Sequence, residues 1–126
     1  MPTNIKIIHT RDFIRAKPDG TLDFTASSQL LKDLATEVET SANYQVLVDT
    51  RGADVRLSTF EIYELGVALA GEPGVARGRR LAILVPPEDE VDAHFFEDVS
   101  VNRGADLRAF TDFETAITWL IMKGGL

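Results

Sequence analysis

The sequence predicts an α/β domain in which a mixed, mainly parallel five-stranded sheet is flanked by about four helices. Short apolar runs alternate with longer segments of helical periodicity after residue 40, which is typical of crossover units with parallel strands. The first two apolar runs are nearly adjacent, which favours an antiparallel extension of the sheet. The 126 residues, with 44% hydrophobic and 26% charged side chains, fit one globular domain over residues 1–126.

The amino-terminal part of the chain is predicted to be extended. Strands are expected over residues 4–9 and 12–17, with a tight connection at residues 10–11. The sequence Pro-Asp-Gly at residues 18–20 predicts a turn, because proline presets φ and glycine tolerates the left-handed region. Residues 21–24 add a short extended piece.

The first helix and the first buried strand follow. A helix is predicted over residues 27–40, because apolar side chains recur on one helical face while charged side chains lie elsewhere. Residues 44–49 form a continuous apolar run that is too short for a helix and too apolar for an exposed edge. They are therefore expected to be a strand buried on both faces.

The middle of the chain repeats this alternation. A second helix is predicted from about residue 59 to residue 70, and Gly71 and Pro73 end it. Residues 81–85 are another buried strand, and two prolines follow it. A third helix is expected over roughly residues 88–102.

The last strand and helix carry the clearest local pattern. A strand is expected over residues 106–110, directly before the sequence Thr111-Asp112-Phe113-Glu114. This sequence predicts a capping box in which Thr111 accepts from the amide three residues on and Glu114 reaches back. In the helix that follows, apolar side chains recur at helical spacing. They are Phe113, Ala116, Ile117 and Leu120.

Composition restricts the classes of partner. A net charge of −7, from 20 acidic and 13 basic residues, opposes attraction to nucleic acid and to anionic lipid. The chain has no cysteine, so disulfides and thiolate metal sites are excluded. No run approaches the roughly 20 apolar residues of a membrane span, and no signal peptide is apparent. A cytoplasmic protein is therefore expected.

Three stretches together resemble a known family. Val46-Leu47-Val48-Asp49 leads into Thr-Arg-Gly, and Ser58 and Thr59 begin a helix nine and ten residues after Asp49. The chain closes with Phe-Thr-Asp and a helix that contains Ala-x-x-Trp-Leu. These features resemble those of SpoIIAA-like proteins, which are relatives of the STAS domains of bacterial anti-sigma-factor antagonists. They are similar to the branch of SpoIIAA-like proteins that is also grouped with CRAL-TRIO lipid-binding folds. The resemblance covers nearly the whole chain and implies a mixed sheet with flanking helices and no enzymatic activity.

The resemblance also implies a regulatory site. In antagonist STAS domains a partner kinase phosphorylates a serine at the start of the second helix, and Ser58, with Thr59 beside it, matches that position. The chain departs from the pattern at Leu57, where an acid is expected, and at Phe60, where a glycine is expected. The residues themselves predict a capping box between Ser58 and Glu61, which stabilises a helix without any regulation. Both interpretations of Ser58 stay open.

Two functions follow for a protein of this kind. The first is a non-catalytic protein–protein interaction module with a regulatory role. The alternative is a carrier or sensor that binds a small apolar or lipid-like ligand between sheet and helices, with Tyr63 as a polar contact. Aromatic residues at these spacings also commonly fill a core. The candidate lining residues are Phe95, Phe96, Phe110, Phe113 and Trp119.

An enzyme is the least supported class. Asp49 and Arg51 lie at the carboxyl end of a strand, where α/β sheets bind ligands, so Asp49 is a candidate acid or base and Arg51 a candidate anion-binding residue. Against this, no glycine-rich phosphate loop follows a strand. His9 and His94 lack a recognised metal-ligand spacing. We expect no enzymatic activity, no cofactor and no metal, and a homo-oligomer on general grounds.

Overall fold

Seven strands and four α-helices make up the part of the chain that the computed structural model describes, residues 5–9, 13–40, 45–73 and 79–121. The predicted connection at residues 10–11 lies outside the described residues. The strands are β1 (Ile5–His9), β2 (Phe13–Pro18), β3 (Gly20–Leu22), β4 (Gln45–Asp49), β5 (Ala53–Val55), β6 (Arg80–Leu84) and β7 (Asp106–Phe110). The helices are α1 (Phe24–Thr40), α2 (Thr59–Ala70), α3 (Glu90–Asn102) and α4 (Phe113–Ile121).

Five strands form the central sheet in the order β1-β2-β4-β6-β7. β1 pairs with β2 in antiparallel fashion, and every other neighbouring pair in this sheet is parallel. The predicted fold class, a mixed and mainly parallel five-stranded sheet with four helices, is therefore confirmed. None of the helices in the described ranges is long and apolar enough to cross a membrane.

A small second sheet was not predicted. β3 and β5 pair in parallel, with Leu22 opposite Val55. β5 has only three residues, Ala-Asp-Val, so it is too short to show the alternation by which a strand is recognised in a sequence. The predicted extended piece at residues 21–24 is correct at Leu22 but wrong at Phe24, which begins α1.

Helices cover both faces of the central sheet. On one face Val46 and Val48 of β4 pack with Leu34 of α1 and Leu69 of α2. On the other face Leu47 packs against α4. Successive residues of a strand point to opposite faces, so β4 supplies apolar side chains to two separate cores. The continuous apolar run at this strand was correctly interpreted as buried on both sides.

Local hydrogen bonds decide where two of the helices begin. Asp23 accepts from the amide of Ala26 at 2.9 Å, so α1 starts three residues earlier than the periodicity predicts. The capping box predicted at Thr111 is wrong, because Asp112 is the capping residue. Its carboxylate accepts from the amide of Thr115 at 2.8 Å and from the Thr115 hydroxyl at 2.7 Å.

At the third helix, Pro87–Asp89 form a short 3-10 helix before α3.

A glycine sets the contact between α2 and α3. A Cβ atom on Gly66 would lie 2.7 Å from Cγ1 of Val99, so only glycine permits this approach of the two helices. About one helical turn away, the Arg103 guanidinium donates to the Tyr63 hydroxyl at 2.8 Å. The amino-terminal half of α2 therefore lies against the carboxyl-terminal end of α3.

Candidate functional site

The amino terminus of α2 carries a complete capping box. The Ser58 hydroxyl accepts from the amide of Glu61 at 3.1 Å, and the Glu61 carboxylate accepts from the amide of Ser58 at 2.8 Å. Two amides that would otherwise lack a partner at the helix end are thereby satisfied. The capping interpretation of Ser58 is confirmed, and the hydroxyl of Ser58 lies on the exposed surface of the protein.

An exposed surface extends from this cap along α2. We call the set of Ser58, Thr59, Phe60 and Tyr63 the α2 surface. Phe60 is 68% exposed, a high value for a large apolar side chain, and Tyr63 is 38% exposed. Residues three or four apart are neighbours on a helix, so Thr59, Phe60 and Tyr63 form one continuous patch next to Ser58.

Tyr63 is held in place from α3. Arg103 donates to its hydroxyl, and the Arg103 guanidinium lies 5.7 Å from the centroid of the Tyr63 ring. This combination of a hydrogen bond and a cation–π contact restricts the ring without burying it. The α2 surface is thus partly preorganised, a property that favours binding because less side-chain freedom is lost.

The two candidate residues at the end of β4 are bound to each other. Asp49 is fully buried, and its carboxylate accepts from the Arg51 side chain at 3.0 and 2.9 Å and from the Arg51 amide at 3.1 Å. Arg15 of β2 donates to the same carboxylate at 2.9 Å. Burial alone would raise the pKa of Asp49, but the hydrogen bonds from Arg51 and Arg15 outweigh it and lower the pKa to about 2.

An aromatic ring from α4 completes this cluster. The guanidinium groups of Arg15 and Arg51 lie 5.1 and 5.8 Å from the centroid of the Phe113 ring. Asp49 therefore stays ionised at neutral pH and is surrounded by cations, so it is poorly suited to accept a proton. The arrangement ties β2, β4 and α4 together.

A cavity of about 150 Å³ lies between the other face of the sheet and helices α1, α2 and α3. Its wall is almost entirely aliphatic, and Phe96 is the one aromatic residue that contributes to it in the described part of the chain. Ser27, Thr50, Asp89 and Asp92 supply its polar atoms. The apolar wall is formed by Leu22, Leu30, Leu31, Leu34, Val48, Val55, Leu57, Ile62, Leu65, Leu69, Leu81, Ile83, Val85, Ala93, Phe96 and Leu107.

Of the aromatic lining that the sequence offered as an alternative to core packing, the cavity contains only Phe96 among the described residues. Phe110, Phe113 and Trp119 pack on the α4 face of the sheet, where the Phe110 and Trp119 ring centroids are 5.7 Å apart. Phe95 is half-buried on α3 but does not line the cavity, and Tyr63 lies on the α2 surface. For Phe110, Phe113 and Trp119 the core interpretation fits better than the ligand interpretation.

Two acidic residues border the cavity near the start of α3. Asp89 and Asp92 both line it. Burial raises the pKa of Asp89, and repulsion from Glu88, Asp92 and Asp54 raises it further. Acidic residues in the first turn of a helix are ordinarily explained by the helix dipole, so nothing in their sequence positions predicts a place beside a cavity.

Arg15, which donates to Asp49, is the second feature that was not predicted from the sequence. It is 34 residues from Asp49, so no local spacing connects the two. The available signal was a charged residue inside the apolar run Phe13-Ile14-Arg15-Ala16, since a half-buried charge generally needs a partner.

His94 does not add a metal site among the described side chains. His94 is exposed on α3, with Glu90 and Glu97 at 3.7 and 3.6 Å from its ring nitrogens. Within the described ranges, no group of three or more histidine and acidic side chains is placed to hold a metal ion.

Comparison with known proteins shows the fold. No protein-family model matches the sequence, and no curated protein gives a significant match. The chain is similar to the structure of an uncharacterised protein of the DUF3478 family, with a SpoIIAA-like fold, from Shewanella loihica PV-4. That match has a TM-score of 0.54 and 20% identity, and covers 94% of this chain and 93% of the other.

A second similar structure is that of the Bacillus cell fate determinant SpoIIAA in its phosphorylated form. The TM-score is 0.52 and the identity 15%, with 89% of this chain and 96% of the other covered. At these identities the likeness concerns the fold, and it agrees with the resemblance seen in the sequence. The chain has a SpoIIAA-like fold.

Proposed function

We propose that this protein is a non-catalytic regulatory module that binds a protein partner through the α2 surface, and that phosphorylation of Ser58 switches this binding. The observation that carries the proposal is an exposed Ser58 at the start of α2, together with the exposed ring of Phe60 two positions further on. Aromatic side chains at a preorganised surface are typical centres of protein interfaces. The similarity to a structure of SpoIIAA in its phosphorylated form supports a regulatory role.

A phosphate on Ser58 would change this surface in two ways. It would add nearly two negative charges at a helix amino terminus, where the dipole and the free amides favour an anion. It would also meet the Glu61 carboxylate, which now lies 2.8 Å from the Ser58 amide. Since like charges repel, we expect the phosphate to displace Glu61 and to rearrange the surface next to Phe60.

The kinase that acts on this serine is expected to differ from those of antagonist STAS domains. At the position of the expected acid, Leu57 lines the cavity. At the position of the expected glycine, Phe60 exposes its ring. A kinase that recognises this site must therefore accept an apolar side chain on each side of the Ser58-Thr59 pair.

The cluster at Asp49 supports the non-catalytic part of the proposal. Three hydrogen bonds from Arg51 and one from Arg15 occupy its carboxylate. A substrate could reach this carboxylate only by breaking contacts that hold the fold together.

Co-purification with matched surface variants tests this proposal. Tagged wild-type protein, Phe60→Ser and Val91→Ser are expressed in the native host and isolated with their bound proteins. Val91 is a matched control, because it is 81% exposed and lies twelve residues before Arg103, about 18 Å along the helix at about 1.5 Å per residue. We expect a protein that accompanies wild type and Val91→Ser and is lost with Phe60→Ser.

Peptide mass spectrometry of the same samples tests the switch. We expect phosphorylated Ser58 in only one of the two pools, either the free protein or the partner-bound protein. Retention of every partner by Phe60→Ser would contradict the proposed surface. Untagged copies of the chain in the eluate would identify a homo-oligomer as the assembly, a prediction that is so far made from the sequence alone.

A further inference from the structure

The cavity between the sheet and helices α1, α2 and α3 has the size and chemistry of a ligand site. Its volume is about 150 Å³ and its wall is built from leucine, isoleucine and valine side chains. A dry apolar cavity of about this size accommodates a benzene-sized molecule. Over most of this wall a bound water would find no hydrogen-bond partner, since only Ser27, Thr50, Asp89 and Asp92 supply polar atoms.

The charge at the border of the cavity restricts the class of ligand. Asp89 and Asp92 line it, and no lysine, arginine or histidine does so in the part of the chain that the structure describes. The Asp89 carboxylate forms neither a hydrogen bond nor an ion pair with another described residue. Asp54 adds further negative potential at this position.

Among the described residues, the Asp89 carboxylate has no partner that a ligand would have to displace. Asp89 precedes α3 but does not cap it through its side chain. Its proximity to Asp92 and Asp54 is repulsive, and burial of Asp89 adds to the cost, so the pKa of Asp89 is raised. A bound cation would relieve both effects at once.

We propose that the cavity binds a small amphiphilic amine, with a hydrocarbon body of about six carbon atoms by comparison with the benzene-sized occupant of such cavities, and with its ammonium group at Asp89 and Asp92. The hydrocarbon lies among side chains such as Leu65, Ile83 and Leu107, where it fills apolar volume. A fatty acid of the same length is disfavoured, because its carboxylate would meet two like charges. This inference does not depend on the protein-binding role of the α2 surface.

Three probes of equal chain length test the charge preference. Hexylamine, hexanol and hexanoate are titrated into the wild-type protein at neutral pH, and binding is followed through the NMR signals of the Leu65 and Ile83 methyl groups. We expect hexylamine to bind at least about tenfold more tightly than hexanoate, with hexanol between them. Equal affinities for amine and carboxylate, or shifts that leave these methyl groups unaffected, would overturn the proposal.

Variants then locate the binding. Asp89→Asn removes the charge with little change in volume, and we expect it to weaken hexylamine about tenfold while leaving hexanol unchanged. Asp98→Asn is the matched control, since Asp98 is an exposed acid of α3 outside the cavity lining. Ala93→Leu fills the cavity and should abolish binding of all three probes. If Ala93→Leu does not fold, the comparison of Asp89→Asn with Asp98→Asn still tests the site. Equal hexylamine affinity in these two variants would refute it.

Discussion

Asp49 and Arg15, 34 positions apart in the chain, form an ion pair of 2.9 Å that joins β4 to β2 on the α4 face of the sheet. The Asp49 side chain is completely buried, while 24% of the Arg15 side chain reaches solvent. A buried carboxylate of this kind is stable only because its hydrogen bonds compensate for lost hydration. The contacts of Asp49 therefore stabilise the fold, and its replacement should lower the free energy of unfolding.

Replacement of Asp49 by asparagine should destabilise the protein substantially. Arg15 and Arg51 would lose their shared anion, at a cost of about 3 kcal/mol, the low end of the range for breaking a buried pair, since both arginines reach solvent. Urea unfolding of wild type and Asp49→Asn measures the difference in the free energy of unfolding. Asp54→Asn is the control, because its pair with Arg56 is exposed on both sides and should change stability by less than about 0.5 kcal/mol. Equal effects of the two substitutions would contradict the account.

The same residue should make stability depend on acid pH. Because the pKa of Asp49 is lowered from 3.8 to about 2 in the folded state, the unfolded chain binds the proton more tightly. The stabilisation is complete above the unfolded pKa and is lost as pH falls from about 4 towards 2. It corresponds to about 2 kcal/mol, from about 1.4 kcal/mol for each pKa unit. Urea midpoints of wild type and Asp49→Asn between pH 5 and pH 2 are the measurement. A difference in urea midpoint between the two proteins that stays constant over this pH range would show that Asp49 is not the titrating group.

Gly66→Ala should loosen the contact between α2 and α3. The new methyl group would lie 2.7 Å from Cγ1 of Val99, so the helices must separate, at a cost of about 1–3 kcal/mol. Gly52→Ala is the matched control, because a Cβ atom there meets nothing within 4 Å. Thermal unfolding distinguishes the two variants. The double variant Gly66→Ala, Val99→Ala should recover part of the loss, and additive losses would instead refute the steric cause.

The capping box at Ser58 separates stability from regulation. Ser58→Ala should cost about 1 kcal/mol, because the amide of Glu61 loses its acceptor. Ser58→Asn and Ser58→Asp should stay within about 0.5 kcal/mol of wild type, since asparagine and aspartate cap helices as well as serine does. Chemical unfolding of the three variants checks this. A loss with asparagine as large as that with alanine would mean that the cap contributes nothing specific.

Much of the architecture follows from local sequence patterns. β4 and β6 are apolar runs of strand length, and α2 is bounded by the Ser58 cap and by Gly71 in agreement with the prediction. The capping residue of α4 was missed because two acceptors, Thr111 and Asp112, stand side by side. Which of them caps depends on the path of the chain after β7, a property that residue identity alone does not determine.

The candidate sites likewise differ in whether they depend on local sequence or on contacts between distant residues. Ser58 was found because a capping box is written in four consecutive residues. The Arg15–Asp49 pair was missed, and most of the cavity wall was assigned to the wrong residues, because both depend on contacts between residues far apart in the chain. The cavity in particular is a packing defect between three helices and a sheet. Its wall residues are individually ordinary core residues in the sequence.

The affinity of the Ser58-phosphorylated protein for its partner tests the central claim most directly. Phosphoserine is installed at residue 58 during translation, and binding of the co-purified partner is measured against unmodified wild type, Ser58→Asn and Phe60→Ser. We expect phosphorylation and Phe60→Ser each to change the affinity by at least about tenfold, while Ser58→Asn, which keeps the cap and lacks the charge, binds as wild type does. If the phosphorylated and unmodified proteins bind the partner equally well, Ser58 is a helix cap alone and the proposed switch is wrong.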